Sequence, residues 1–283
     1  MRVSVYEVGP RDGLQNEPAT LASADKVRFV ELLAEAGPAA VEVTSFVSPL
    51  AVPQLADADR VLPAVRRRAG VRYPVLVPNQ RGMERARAAG AREIAVFAAA
   101  SEAFSQANLG CSVDRSLERF RPLVETALRD GIWVRGYVST AFGCPYQGSV
   151  PPAAVVRVAA ALNALGCDQI SIGDTIGVAD PEQVADVTAA LASALPLERL
   201  ALHLHDTGGR AMENVAAGLE AGIRTFDASA AGLGGCPFAP GAPGNVATEA
   251  LVATLHARGV ETGVDEPALA RAVAFVRSRL GSA

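Results

Sequence analysis

Lysine is nearly missing from this chain: of 26 lysine and arginine residues, only Lys26 is a lysine. Histidine (3 residues), tryptophan (1) and aromatic side chains as a whole (5%) are also scarce. The arginines are spread along the chain and the formal net charge is −4. The one basic triplet, Arg66 to Arg68, reads as a solvated helix end, so the basic face that nucleic acid requires is lacking. No apolar run reaches bilayer-spanning length, and the polar motif EVGPRDGLQNE already begins at Glu7. Neither a membrane span nor a targeting leader is therefore expected. The four cysteines, Cys111, Cys144, Cys167 and Cys236, show no CxxC spacing. That excludes a zinc ribbon and, with no signal peptide in front, a secreted disulfide scaffold; reduced thiols in a cytoplasmic protein are the expectation.

What is present is apolar bulk. A chain of 283 residues, 50% hydrophobic, buries a large core without a metal or disulfide to hold it. Short β-branched runs alternate with longer stretches of helical period, the pattern of repeated βα units around a parallel sheet. Eight such runs are read: 3–8, 40–44, 74–77, 93–98, 133–139, 169–172, 201–205 and 225–229. The helices read after them are 24–36, 55–68, 82–89, 115–130, 153–165, 181–194, 210–221 and 245–258. Glycines follow the helices at Gly37, Gly90, Gly131, Gly166, Gly222 and Gly259, as left-handed caps would. The expected fold is α/β, a (β/α)8 TIM barrel forming a single catalytic domain over 1–283, with an extra C-terminal helix at 267–280. An open doubly wound sheet would want a glycine-rich phosphate turn after its first strand, and that turn is absent.

A barrel concentrates chemistry at the C-terminal ends of its strands, and reactive residue types collect there. Arg11 and Asp12 end the first strand, Glu42 lies in the second, Asn79 follows the third, Asp174 ends the sixth, and His203 and His205 finish the seventh. Residues two apart on a strand share a face, so the two imidazoles converge on one point near the barrel mouth. Two satisfied core histidines are the plain alternative, but this pair takes two of the three histidines in the chain. A zinc hydrolase site of the amidohydrolase type needs further histidines and often a bridging lysine, and only His256 and Lys26 remain. The other candidate donors, Asp12 and the Asn245 amide, are oxygens; a mixed nitrogen and oxygen set with open positions suits octahedral Mg²⁺ or Mn²⁺ better than tetrahedral Zn²⁺.

Arg11 beside Asp12 reads either as a structural salt bridge or, at a strand end near a metal, as a planar donor to a developing enolate or carboxylate. Glu42 and Asp174 are carboxylates in apolar strands, where a charged partner is expected; supporting roles and direct acid or base roles both stay open. The segment AGLGGCPFAPGAPGN packs five glycines and three prolines into Ala231 to Asn245. It reads as a lid that delivers the Cys236 thiol and ends with Asn245 at a helix N-cap. Cys144, in FGCPYQG, is a weaker candidate of the same kind.

Taken together, EVGPRDGLQNE, VEVTSFVSP, YPVLVPN, RGYVSTAFGCPYQG, SIGDTIGVADP, HLHDTGG and AGLGGCPFAPGAPGNVATE resemble the hydroxymethylglutaryl-CoA lyase family along nearly the whole chain. GPRDG and HxHDT belong to a wider superfamily of metal-dependent barrel lyases and condensing enzymes, whereas the glycine-rich loop is specific to the lyases. The resemblance implies cleavage of 3-hydroxy-3-methylglutaryl-CoA to acetyl-CoA and acetoacetate, as in leucine catabolism and ketone body formation, by a homodimer. It makes Asp12, His203, His205 and Asn245 the metal ligands and Arg11 the donor that stabilises the enolate of departing acetyl-CoA. Cys236 would transfer a proton at the acetyl end, Glu42 and Asp174 would be supporting carboxylates, and Asp174 would shuttle protons with His203.

Two positions depart from the family pattern: Leu50 stands where lysine is usual after VSP, and Gly208 where tyrosine is usual in HDTYG. The first is expected to weaken an anionic contact to the substrate, the second to enlarge a space near the histidines. A lyase for a longer branched 3-hydroxy-3-alkylglutaryl-CoA is therefore the nearest alternative. A condensing synthase would want accessory regions for which 283 residues leave no space. A non-catalytic acyl-CoA-binding barrel would tolerate loss of Cys236 or His203.

Overall fold

The computed structural model describes residues 1–234 and 244–281. Among them, nine parallel strand segments make one sheet: β1 (Ser4–Glu7), β2 (Ala40–Val41), β3 (Thr44–Ser45), β4 (Val75–Leu76), β5 (Glu93–Ala99), β6 (Trp133–Ser139), β7 (Gln169–Gly173), β8 (Leu200–His203) and β9 (Thr225–Ala228). The helices are α1 (Ser23–Ala36), α2 (Ala58–Ala64), α3 (Gln80–Ala88), α4 (Glu102–Leu109), α5 (Val113–Arg129), α6 (Pro152–Leu165), α7 (Pro181–Ala192), α8 (Ala211–Glu220), α9 (Thr248–Ala257) and α10 (Glu266–Leu280).

The hydrogen-bonded order runs β2-β1-β9-β8-β7-β6-β5-β4-β3. Its two ends are halves of one stave. β2 pairs with β1 and β3 with β4, while Glu42 N–H donates to Glu7 and Val43 N–H to Pro74 across the gap. The sheet thus closes with eight staves, and the C-terminal helix expected after them is α10. All six glycines read as helix caps have positive φ. At Gly166 (φ +108) the left-handed backbone is what closes the position to other residues.

Three local readings need correction. The helix expected over 55–68 is only α2, because Pro63 cannot continue its hydrogen bonding and Val65 turns extended. The Arg66–Arg68 triplet consequently leaves the helix and ties α1 down, Arg66 pairing with Glu31 at 2.9 Å and Arg68 donating to Glu35 O. A helix the periodicity did not reveal, α4, is started by the Ser101 hydroxyl, which accepts from Phe104 N–H. Finally, Asn245 is no helix N-cap: α9 is preceded by Ala247, and Asn245 forms a bridge with His205.

Most of the apolar core lies between strands and helices, from Val5 on β1 round to Phe226 on β9. The barrel interior is different. Arg135 on β6 is fully buried and pairs with Asp227 on β9 at 2.5 Å. Its guanidinium lies 3.6 Å over the Tyr6 ring and 5.0 Å from that of Tyr137, so both π faces meet the cation. Outside the sheet, Glu7 is a second buried charge centre. Its Oε1 accepts Gly9 N–H (2.7 Å) and Ala230 N–H (3.0 Å), and its Oε2 accepts the Thr248 hydroxyl (2.6 Å). One carboxyl so joins the turn after β1 to the turn after β9 and to the first residue of α9.

Two stability measurements follow from these charges. Replacing Arg135 with Met leaves Asp227 ionised and buried without its cation, which is expected to cost about 3–5 kcal/mol in urea unfolding. Burial, against the opposing hydrogen bonds, pushes the Glu7 carboxyl up from 4.5 to about 7. Below pH 4.5 both the native and the unfolded chain hold that proton; as pH rises, the unfolded chain releases it first, so native stability falls until about pH 7. Between pH 5 and 8 the wild type should lose roughly 2.5 kcal/mol relative to Glu7→Gln, and an unchanged difference would refute this assignment.

Candidate active site

The turn Gly9–Gly13 that follows β1 carries Arg11 and Asp12; it is a π-helical turn, not the end of the strand, in which the N–H groups of Arg11, Asp12 and Gly13 all donate to Val8 O. The tight winding swings both side chains over the barrel mouth. Arg11 is buried, donates through Nε to Glu42 Oε2 at 2.8 Å, pairs through Nη1 with Asp12 Oδ1, and lies 5.4 Å over the Tyr137 ring. Tyr137 donates its hydroxyl to the same Glu42 oxygen at 3.0 Å. Glu42 therefore supports the cation from below, and burial raises its carboxyl despite Arg11. Burial also opposes the charge of Asp12, yet Arg11 and the two histidines outweigh it and hold this carboxyl well below the usual range.

Across the mouth stand the histidines. β8 ends at His203, and His205, one residue beyond its neighbour Leu204, returns to the same side; their Nε2 atoms face each other at 3.3 Å. His203 Nε2 is 3.9 Å from Asp12 Oδ2. Ligand atoms of Asp12, His203 and His205 all lie within 4.8 Å of one another, the one such cluster among the described residues. Asn245 donates its amide to Asp12 Oδ2 (2.8 Å) and to Leu233 O (3.0 Å), which closes the set from the fourth side. Burial and then the charge of His203 push His205 down to about 4. Burial works the same way on His203, but its hydrogen bond to Asp227 outweighs it and raises the ring above its ordinary value. Two imidazole nitrogens directed at one point, beside an ionised carboxylate, suit a divalent cation.

These groups open onto a cavity of about 430 Å³ whose walls include Val52, Leu76, Phe97 and Phe104 opposite Arg11 and the histidines. A larger surface depression of about 580 Å³, beside Arg2 and His256, contains none of this chemistry. Asp174 borders the site but spends its carboxylate on the N–H groups of Val178 (3.0 Å) and Ala179 (3.1 Å), with burial pushing it up to about 6. Its backbone N–H donates to His203 O at 2.8 Å, and the charge of His203 acts on its carboxyl. Asn79 caps α3, and Cys144 is buried with its sulfur bonded to the Ser101 hydroxyl at 2.9 Å. Cys236 lies outside the described residues.

The two departures from the family pattern take different places. Leu50 is 95% exposed, next to Ala51 and Val52 of the cavity wall. Gly208 is exposed, three residues beyond His205. The residues that sequence reasoning missed are Glu7, Arg135, Tyr137 and Asp227. Arg135 and Tyr137 are two apart on β6, a same-face signal like that of the histidines, but nothing local marks their partners.

A family model described as HMGL-like matches residues 2–276. The chain is 52% identical over 281 residues to the hydroxymethylglutaryl-CoA lyase of Pseudomonas mevalonii, covering 99% of this chain and 93% of that one. The crystal structure of hydroxymethylglutaryl-CoA lyase from Pseudomonas aeruginosa matches with a TM-score of 0.98 at 50% identity, over 100% of this chain and 94% of that one. An HMG-CoA lyase from A. baumannii, in complex with coenzyme A and 3-methylmalate, matches with a TM-score of 0.94 at 38% identity, over 99% and 92% of the two chains. With the family model matching residues 2–276 and these lyases aligned over nearly the whole chain, the chain belongs to the HMGL-like family.

Proposed function

We propose that this protein is a divalent-metal-dependent lyase that splits 3-hydroxy-3-methylglutaryl-CoA into acetyl-CoA and acetoacetate. The observation that carries the reading is the meeting of Asp12, His203 and His205 within 4.8 Å beside the Arg11 guanidinium, in a chain about half identical to lyases of that name. Asp12, His203, His205 and Asn245 would hold the cation. With both amide hydrogens of Asn245 engaged, its Oδ1 is the ligating atom. This donor set favours Mg²⁺ or Mn²⁺. When bound, the cation lowers the pKa of the substrate's tertiary hydroxyl and anchors its carboxylate.

The hydroxyl gives up its proton, the C2–C3 bond breaks, and C3 becomes the ketone of acetoacetate while the electron pair stays on C2 as the enolate of the acetyl thioester. Arg11, held flat by Glu42 and Tyr137, donates to the enolate oxygen and needs no reorientation as charge develops. His203 stands at the hydroxyl end as a ligand, the hydroxyl proton leaves to water, and Cys236 returns a proton to C2 to complete acetyl-CoA. Glu42 is the support of Arg11. Asp174 supports the site through the loop it pins with Val178 and Ala179.

We place it as one catalytic domain over 1–283, a cytoplasmic homodimer that takes an acyl-CoA thioester substrate and binds neither nucleic acid nor membrane. No helix among the described residues is long and apolar enough to cross a membrane. The methyl branch of the substrate packs against the apolar cavity wall.

Incubation with the thioester and Mg²⁺ or Mn²⁺ should yield acetoacetate and acetyl-CoA, and chelation should abolish the yield until metal is restored. An intact thioester in a metal-supplemented sample would sink the proposal. Arg11→Gln should lower kcat about 10²- to 10³-fold with the fold intact by circular dichroism. Cys236→Ser should reduce turnover severely while Mn²⁺ still binds.

A further inference from the structure

His203 is held from behind by groups that the reaction does not consume. Asp227 is buried, and both of its oxygens are engaged: Oδ1 accepts from Arg135 Nη2 at 2.5 Å, and Oδ2 accepts from the Ser171 hydroxyl at 3.0 Å and lies 3.2 Å from His203 Nδ1. The three partners come from β6, β7 and β8, so the carboxylate has no freedom to turn away. An ionised carboxylate only accepts hydrogen bonds, so the His203 nitrogen that faces it carries the proton. In the neutral ring the lone pair is then on Nε2, the nitrogen directed at His205 and Asp12.

We infer that Asp227, locked by Arg135 and Ser171, is a positioning residue that fixes His203 in the tautomer able to ligate a divalent cation through Nε2. The inference rests on the metal reading above and adds to it a reason why a fully buried arginine sits inside the barrel. Arg135 offers only donors, so it dictates which end of residue 227 must be an acceptor. In Asp227→Asn the carbonyl oxygen is drawn to Arg135 and the NH2 turns towards Nδ1. His203 must then accept there and carry its proton on Nε2, where no lone pair remains for a metal. Removing Arg135 as well frees the amide to rotate and present its oxygen to Nδ1 again.

Nitrogen-15 spectra of the metal-free wild type, taken at a pH where the ring is neutral, read the tautomer directly, and only three histidines need assignment. A proton on Nδ1 of His203 is expected; one on Nε2 overturns the inference without any variant. Mn²⁺ titration followed by electron paramagnetic resonance should show about 10- to 100-fold weaker binding by Asp227→Asn. The Arg135→Met/Asp227→Asn pair should bind Mn²⁺ more tightly than Asp227→Asn alone, an order that simple damage to the fold would reverse. Equal affinity of Asp227→Asn and wild type overturns the inference. A wild type that binds no Mn²⁺ overturns the metal reading beneath it.

Discussion

A guanidinium buried in the barrel interior keeps its charge, because arginine does not deprotonate at any pH a protein survives. Everything near Arg135 answers to that. Asp227 supplies the counter-charge, and the faces of Tyr6 and Tyr137 pack against the cation. The usual filling of such a barrel is layers of branched aliphatic side chains. Here the layer beneath the mouth is ionic, and two apolar side chains of similar volume would serve stability as well or better. Its use is directional: the carboxylate bound by the arginine is the one that meets His203.

The opposite side of the site is organised by a different device. Arg11 and Asp12 sit on one tight turn whose N–H groups crowd onto Val8 O, and that turn is tied down by Glu7 from outside the sheet. Glu42 takes Arg11 from inside the sheet. Two buried carboxylates on adjacent staves, one facing outward and one inward, thus brace the same five-residue turn from both faces. The cation reading gains from this rigidity, since ligands held before the metal arrives lose little conformational freedom when it binds.

How far the sequence was legible depended on the range of the interaction behind each feature. The stave count, the helix caps and the convergence of His203 with His205 follow from periods of two and of 3.6 residues, and the barrel carries all three. Asn245 was placed wrongly at a helix start because the local pattern of a small polar residue before an apolar run is the same whether or not the helix begins there; its bridge to His205 set the outcome. For Asp174 the sequence left a supporting role and a direct acid or base role both open, since a carboxylate in an apolar strand demands a partner of some kind. The partners turned out to be backbone N–H groups four and five residues ahead, which no side-chain pattern announces.

The sequence by itself determined the repeating βα architecture, the face on which each strand residue lies, the scarcity of histidine that made a paired one conspicuous, and the resemblance that names the chemistry. Only the tertiary structure decided which of these faces meet. Asp12 reaches the histidines of β8, Tyr137 reaches Glu42, and Asp227 reaches both Arg135 and His203 because the sheet closes on itself. Closure brings distant staves together at a register that hydrogen bonding sets. Local periodicity tells a side chain which way to point; it does not carry information about what will be there.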